Sequence, residues 1–273
     1  PTAGGTEVRL LGSNLHPPAS RGIFCQFGGA GVVSASYDGE EAVRCIAPAI
    51  VAAGWVAVHV ISNDAVYASS VAYEYLGPVG VSGVEPVSGL LAGGTLLRLR
   101  GSGFMPSATA FVRFGSVRAV VARVLSSTLL ECTSPSHVQS GLVPVELTLN
   151  EQDYSSDEVL FEYQPDAQLA ELVPSKGPSE GGTFVNVSGS GFALRSAVLA
   201  YTYLRFNLTA VPVVWVSSSE LHCSAPEHAT GVVGVELTQN DQQYTSDGLQ
   251  FEYADVALRR VDPLSGPLAG GTE

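Results

Sequence analysis

Lysine is almost missing from this chain: Lys176 is the single one among 273 residues, beside twelve arginines and 26 acidic residues. The formal net charge is −13. A polyanionic partner needs a basic stripe to neutralise its phosphates, and these arginines are scattered singly or in spaced pairs, which excludes a nucleic-acid partner. Long apolar runs are lacking too. Gly, Pro, Ser or a charge breaks each one well before the roughly 20 residues that a membrane helix needs, so no transmembrane segment lies in this stretch. A helical period of useful length is missing. The five histidines, His16, His59, His137, His222 and His228, make no i, i+4 pair, and His222 and Cys223 point to opposite faces of one strand. No metal centre is expected. There is no Ser–His or Cys–His pairing in register and no phosphate loop ahead of a helix, so neither catalysis nor a cofactor is expected.

What is plentiful is glycine (30) and proline (16), with 45% hydrophobic residues, enough apolar matter to build cores. Much of the glycine belongs to a repeat. Gly-Gly-Thr occurs at Gly4, Gly93, Gly181 and Gly270, spaced 89, 88 and 89 residues apart. Ahead of three of these stand Pro86-Val87-Ser88-Gly89, Pro174-Ser175-Lys176-Gly177 and Pro263-Leu264-Ser265-Gly266. After them come Gly12-Ser13-Asn14-Leu15, Gly101-Ser102-Gly103-Phe104 and Gly189-Ser190-Gly191-Phe192. Phe27-Gly28, Phe114-Gly115 and Phe206-Asn207 end a strand in each repeat. Then follow Cys45-Ile46-Ala47-Pro48, Cys132-Thr133-Ser134-Pro135 and Cys223-Ser224-Ala225-Pro226. Each repeat closes on Tyr73-Glu74-Tyr75, Phe161-Glu162-Tyr163 or Phe251-Glu252-Tyr253. A period near 90 residues is a whole domain rather than a solenoid unit.

Inside each repeat the apolar period is two. Leu97 and Leu99 alternate with Arg98 and Arg100, and Val185 and Val187 with Asn186 and Ser188. That is a half-buried antiparallel strand. About seven such strands, with turn signals every ~10 residues, predict an all-β fold of tandem immunoglobulin-like sandwiches. Pro144 conflicts with its strand, because it cannot donate to a ladder and prefers an edge or a strand start.

These landmarks together resemble the IPT/TIG family (immunoglobulin-like, plexin and transcription factor), and the resemblance covers essentially the whole chain. It implies a β-sandwich repeat of the kind found in cell-surface receptors and fibrocystin-like proteins, in some transcription factors, and as accessory modules of carbohydrate enzymes. The acidic balance argues against the transcription-factor branch. The expected boundaries are 1–77 for a first repeat without its opening strand, 78–165 for a second, 166–256 for a third, and 257–273 for the opening strand of a fourth. The joins are short and contain proline, which predicts a jointed rod. Neighbouring parts of a longer chain explain the missing strand; completion of another molecule's sandwich by the tail is the alternative.

Cys25 takes the place held by Val112 and Leu204, so it faces the core. Cys45 stands on a facing strand. In an oxidising compartment the two could join in a disulfide; the alternative is two buried thiols. Cys132 and Cys223 read as buried free thiols. Asn186-Val187-Ser188 and Asn207-Leu208-Thr209 match the N-glycosylation acceptor, both at outward positions. Phe24, Phe111 and Tyr203 face away from the core, next to Gln26, Arg113 and Arg205, as lateral contact points or as cross-strand packing. The acidic loops after the sixth strand, Asn150 to Asp153 with Asp157 and Asn240 to Asp241 with Asp247, read as solvated turns rather than calcium sites.

The function expected from all this is non-catalytic: a structural or adhesive repeat region of a large extracellular or cell-surface protein. It would form a rod, a stalk or a filament such as a flagellar hair through protein–protein contacts, including self-association, and would carry covalent glycans. A ligand-binding ectodomain of plexin or fibrocystin type, a carbohydrate-active enzyme with its catalytic domain elsewhere, and an intracellular ciliary scaffold are the alternatives.

Overall fold

The computed structural model describes residues 1–13, 15, 22–62, 65–67, 71–106, 110–117, 119–255, 259–266 and 268. Asn14, His16, Leu258 and the fourth Gly-Gly-Thr at Gly270 lie outside them. The chain divides into two compact units. One holds Pro1–Val87, Ala92–His137 and Leu142–Glu162; the other holds Ser88–Leu91, Val138–Gly141 and Tyr163–Glu273.

The first sandwich consists of β1 (Glu7–Leu11), β2 (Ile23–Phe27), β3 (Gly31–Tyr37), β4 (Ala42–Ile46), β5 (Gly54–Ser62), β6 (Ala65–Tyr67) and β7 (Ala72–Tyr75). Its strands run in one continuous order, β1-β4-β3-β2-β5-β6, with β7 on β5. β3 closes that path because it pairs with β2 through one stretch and with β4 through another.

The second sandwich consists of β8 (Gly80–Glu85), β9 (Ser88–Leu90), β10 (Leu96–Ser102), β11 (Phe111–Phe114), β12 (Val120–Val121), β13 (Arg123–Ser126), β14 (Leu129–Thr133), β15 (Gly141–Thr148) and β16 (Leu160–Gln164). The third consists of β17 (Gln168–Val173), β18 (Lys176–Gly177), β19 (Phe184–Ser190), the single-turn helix α1 (Leu194–Val198), β20 (Tyr203–Phe206), β21 (Thr209–Pro212), β22 (Val214–Ser217), β23 (Glu220–Ser224), β24 (Gly231–Thr238) and β25 (Gln250–Tyr253). Each has two sheets of matching order: β13-β14-β10-β8 with β12-β11-β15-β16-β9, and β22-β23-β19-β17 with β21-β20-β24-β25-β18. Residues 259–266 form no strand among the described residues.

The repeated phrases meet in space. The first glycine of each Gly-Gly-Thr takes a positive φ (74° at Gly4, 77° at Gly93, 74° at Gly181) and lies against the backbone after the Cys-x-x-Pro cysteine. A Cβ there would sit 2.6 Å from a backbone atom in all three repeats. The second glycine donates its N–H to the residue before that proline, at 2.9 Å to Ala47, 2.9 Å to Ser134 and 2.8 Å to Ala225. The strand-ending phenylalanine packs edge-on against the first aromatic of the closing phrase: Phe27 on Tyr73 at 5.4 Å, Phe114 on Phe161 at 5.5 Å and Phe206 on Phe251 at 5.4 Å. Such pairs add on the order of 1 kcal/mol beyond the area they bury.

Pro144 sits inside β15 rather than at a sheet edge. Its carbonyl accepts the N–H of Gly115 at 2.8 Å, on the side where β11 has just ended at Phe114. The N–H that proline lacks would face that same side, beyond the end of β11, so the ladder loses little.

Candidate functional site

Within the first unit, the loop after β15 meets the first strand of the chain. The Thr6 hydroxyl donates to Asp153 Oδ2 at 2.7 Å, the Glu7 N–H donates to Gln152 Oε1 at 3.0 Å, and Gln152 Nε2 donates back to the Glu7 carbonyl at 3.0 Å. The loop is held in shape from inside. Asn150 Oδ1 accepts the N–H groups of Gln152 and Asp153, and Asn150 Nδ2 donates to Asp153 at 2.7 Å. A cleft of about 410 Å³ opens beside it, lined by Leu76, Pro78, Asn150, Asp153 and Asp157 among others. Asp157 Oδ2 accepts the Val81 N–H at 2.7 Å, as Asp247 does for Leu169 at 2.9 Å. The sequence reads these carboxylates as solvated turn residues; the fold uses them to hold strand ends.

Within the second unit, Ser196 of α1 is fully buried between Ser88 at 3.1 Å and the Gln164 amide at 2.9 Å. Buried polar groups that satisfy one another fix a single arrangement of the elements carrying them.

The structure brings Cys25 and Cys45 together as a disulfide in the first core, with Cα atoms 6.5 Å apart and a sequence separation of 20. Cys132 and Cys223 are separate, buried thiols. Burial pushes each of their pKa values from 9.0 up to about 12.

Asn186 is exposed on the outer face of β19, and Asn207 is exposed at the β20–β21 turn. Asn207 takes φ 55°, where Gly28 and Gly115 take 44° and 59°; asparagine is one of the few side chains that tolerate this region.

Phe24 is 37% exposed, whereas Phe111, Tyr203, Arg113 and Arg205 are half-buried. The two arginines are engaged inside their own sandwiches. Arg113 binds Glu146 at 2.7 Å and its guanidinium lies 3.9 Å from the Tyr154 ring centre. Arg205 binds Glu236 and lies 3.8 Å from the Tyr244 ring centre.

His222 reaches Glu220 at 3.0 Å and His228 stacks on Tyr253 at 5.1 Å. Among the described residues no three His, Cys, Asp or Glu side chains gather as a metal centre would require. Gly177-Pro178-Ser179-Glu180-Gly181 spells the pattern of a serine nucleophile turn, but it joins two strands rather than a strand to a helix. Ser179 is bound to Asp255, whose pKa its N–H and hydroxyl lower.

Comparison with known proteins shows what this chain is similar to. The IPT/TIG domain family model matches residues 78–163 and 168–253. Mouse fibrocystin-L is 27% identical over 193 residues, 70% of this chain and 4% of that protein. Mouse plexin-B2 is 26% identical over 276 residues, 97% of this chain and 14% of that protein. Among solved structures, the plexin A4 extracellular region aligns with 92% of this chain and 32% of its own, at 17% identity and a TM-score of 0.41.

Proposed function

The chain belongs to the IPT/TIG domain family, and from that premise we propose that it is a non-catalytic structural and adhesive segment of a large extracellular or cell-surface protein. The observation that carries this reading is the joint of the first unit. Thr6 and Glu7 are tied to Gln152 and Asp153 by side-chain and backbone hydrogen bonds, and the connection after Tyr75 is only Leu76, Gly77 and Pro78. A joint fixed this way between the first two sandwiches resists bending there, which suits a rod, a stalk or a filament such as a flagellar hair. We place the repeats at 1–77, 78–165 and 166–256, with 257–273 opening a fourth.

A ligand-binding ectodomain is the second reading. It is supported by the names of the relatives, fibrocystin-L and plexins, which this chain matches over 70% or more of its length.

Peptide mass mapping of the native protein tests the extracellular placement. A linked Cys25–Cys45 peptide is expected. Four reduced cysteines and bare acceptor asparagines would move the chain to an intracellular scaffold. Small-angle scattering then separates the two extracellular readings: the rod requires a maximum dimension close to three sandwiches laid end to end, and a folded-back shape rejects it.

A further inference from the structure

In the second sandwich the outer face of the first sheet carries a row of alternating charge. Glu85, Arg98, Glu131 and Arg123 stand side by side on β8, β10, β14 and β13. Arg98 reaches Glu131 at 3.1 Å. The first sandwich keeps charge at the same place, where Arg9 lies opposite Arg44 and Asp38 binds both, at 2.6 and 2.9 Å. The third sandwich does not. Its row reads Val173, Asn186, His222 and Val214 on β17, β19, β23 and β22. Phe184 stands two residues before Asn186 on β19, hence on the same face. Phe184, Val173 and Val214 are 57%, 52% and 64% exposed. In this strip exposed apolar side chains thus flank Asn186 and His222 where the other two sandwiches carry charge, and a covering group would shield them. At the centre of the strip lies the acceptor triplet Asn186-Val187-Ser188.

We propose that Asn186 carries an N-linked glycan whose first N-acetylglucosamine lies over the Phe184 ring and covers this strip. The proposal rests on the extracellular reading above. In the transfer, the anomeric carbon of the sugar forms a bond to Asn186 Nδ2, which gives up one proton to the surrounding water. The bond from that carbon to the pyrophosphate oxygen of a lipid-linked oligosaccharide donor breaks, and the lipid pyrophosphate leaves with the electron pair.

Residues i and i−2 of a strand lie roughly 6.5–7 Å apart, about the reach of one sugar ring folded back from Nδ2. The C–H face of the sugar meets the electron-rich face of the ring. His222 meets the Phe184 ring edge-on at 5.0 Å and limits how it can turn. Asn207 has no such platform: Arg205 stands two residues before it, and its own amide lies 3.4 Å from the His228 ring.

The test secretes the 273-residue chain from a eukaryotic cell line and maps both acceptors by glycopeptide mass. Asn186 is expected to be occupied. Trimmed to one N-acetylglucosamine, the chain should melt a few degrees above Asn186→Gln. That gap should vanish in Phe184→Thr and survive in Phe184→Tyr, both at an exposed position that tolerates change. A bare Asn186 on secreted molecules, or a gap indifferent to Phe184→Thr, overturns the proposal. Native material with the Cys25–Cys45 bond formed but Asn186 bare overturns the glycan alone. Native material with Asn186 bare and all four thiols reduced overturns the extracellular reading with it.

Discussion

The Thr6 hydroxyl donates to Asp153 Oδ2 at 2.7 Å across 147 residues of chain. Thr6 is buried, and its neighbour Glu7 adds two backbone hydrogen bonds to Gln152. A hydrogen bond to a charged acceptor contributes about 1.5–3 kcal/mol net, so Asp153→Ala should loosen this contact by an amount in that range. The expected result is faster amide exchange along Glu7–Leu11, with the melting midpoint of the second sandwich changed by less. Unchanged exchange would show that the joint is held by something other than this pair.

The Cys25–Cys45 bond closes a loop across a sequence separation of 20 in a sandwich whose strands form one continuous sheet path. Cross-linking a loop of that size removes about 3 kcal/mol worth of unfolded-state entropy in the chain-entropy account. Reduction under native conditions should lower the denaturant midpoint of the first sandwich and leave the other two in place. Replacing Cys25 by Val, the residue at the matching place in the second repeat, with Cys45→Ala should give the same loss without a reductant.

The phrases that make the repeat readable are the ones whose chemistry admits few substitutes. Gly4, Gly93 and Gly181 need both a positive φ and the absence of a Cβ, so they recur with the proline phrase they lie against. The strand-ending phenylalanines and the closing aromatics recur because they pack on each other. The joint is different. Asn150-Glu151-Gln152-Asp153 has the composition of any solvated turn, and its partners Thr6 and Glu7 are close in space only. The single path of the first sandwich was likewise hidden, because it depends on β3 serving two neighbours rather than on any residue type. Alternation placed Arg113 and Arg205 outward, yet could not show that Tyr154 and Tyr244 would stand over them.

The thiols of Cys132 and Cys223 titrate near 12 rather than 9.0, because burial disfavours the thiolate. The unfolded chain binds fewer protons than the folded one once pH passes the ordinary thiol range. The stability that these neutral thiols contribute is therefore complete below about pH 8.5 and is lost progressively as pH rises from there toward 12. Denaturant midpoints of the second and third sandwiches between pH 8 and 10.5 should fall with pH. In Cys132→Ala and Cys223→Ala the slope for the affected sandwich should flatten. In the native state at pH 8, neither thiol should react with iodoacetamide on the timescale that labels an unfolded control.

Arg113 is held by Glu146 at 2.7 Å and by the face of Tyr154 at 3.9 Å, at a side-chain exposure of 36%. Lysine keeps the charge but loses the planar fork that satisfies both partners at once. With the exposure discounted for solvent screening, Arg113→Lys should cost about 1 kcal/mol in the stability of the second sandwich. Tyr154→Leu should cost a similar amount, and the two changes together less than their sum, since they remove one shared contact. Phe111→Ser separates this internal role from a lateral one. If Phe24, Phe111 and Tyr203 form contact points between chains, Phe111→Ser weakens association while Arg113→Lys mainly lowers the unfolding midpoint. Sedimentation and denaturant unfolding on the same samples read the two effects apart. An Arg113→Lys variant that lost association at an unchanged midpoint would reverse the assignment and make the arginine a contact residue.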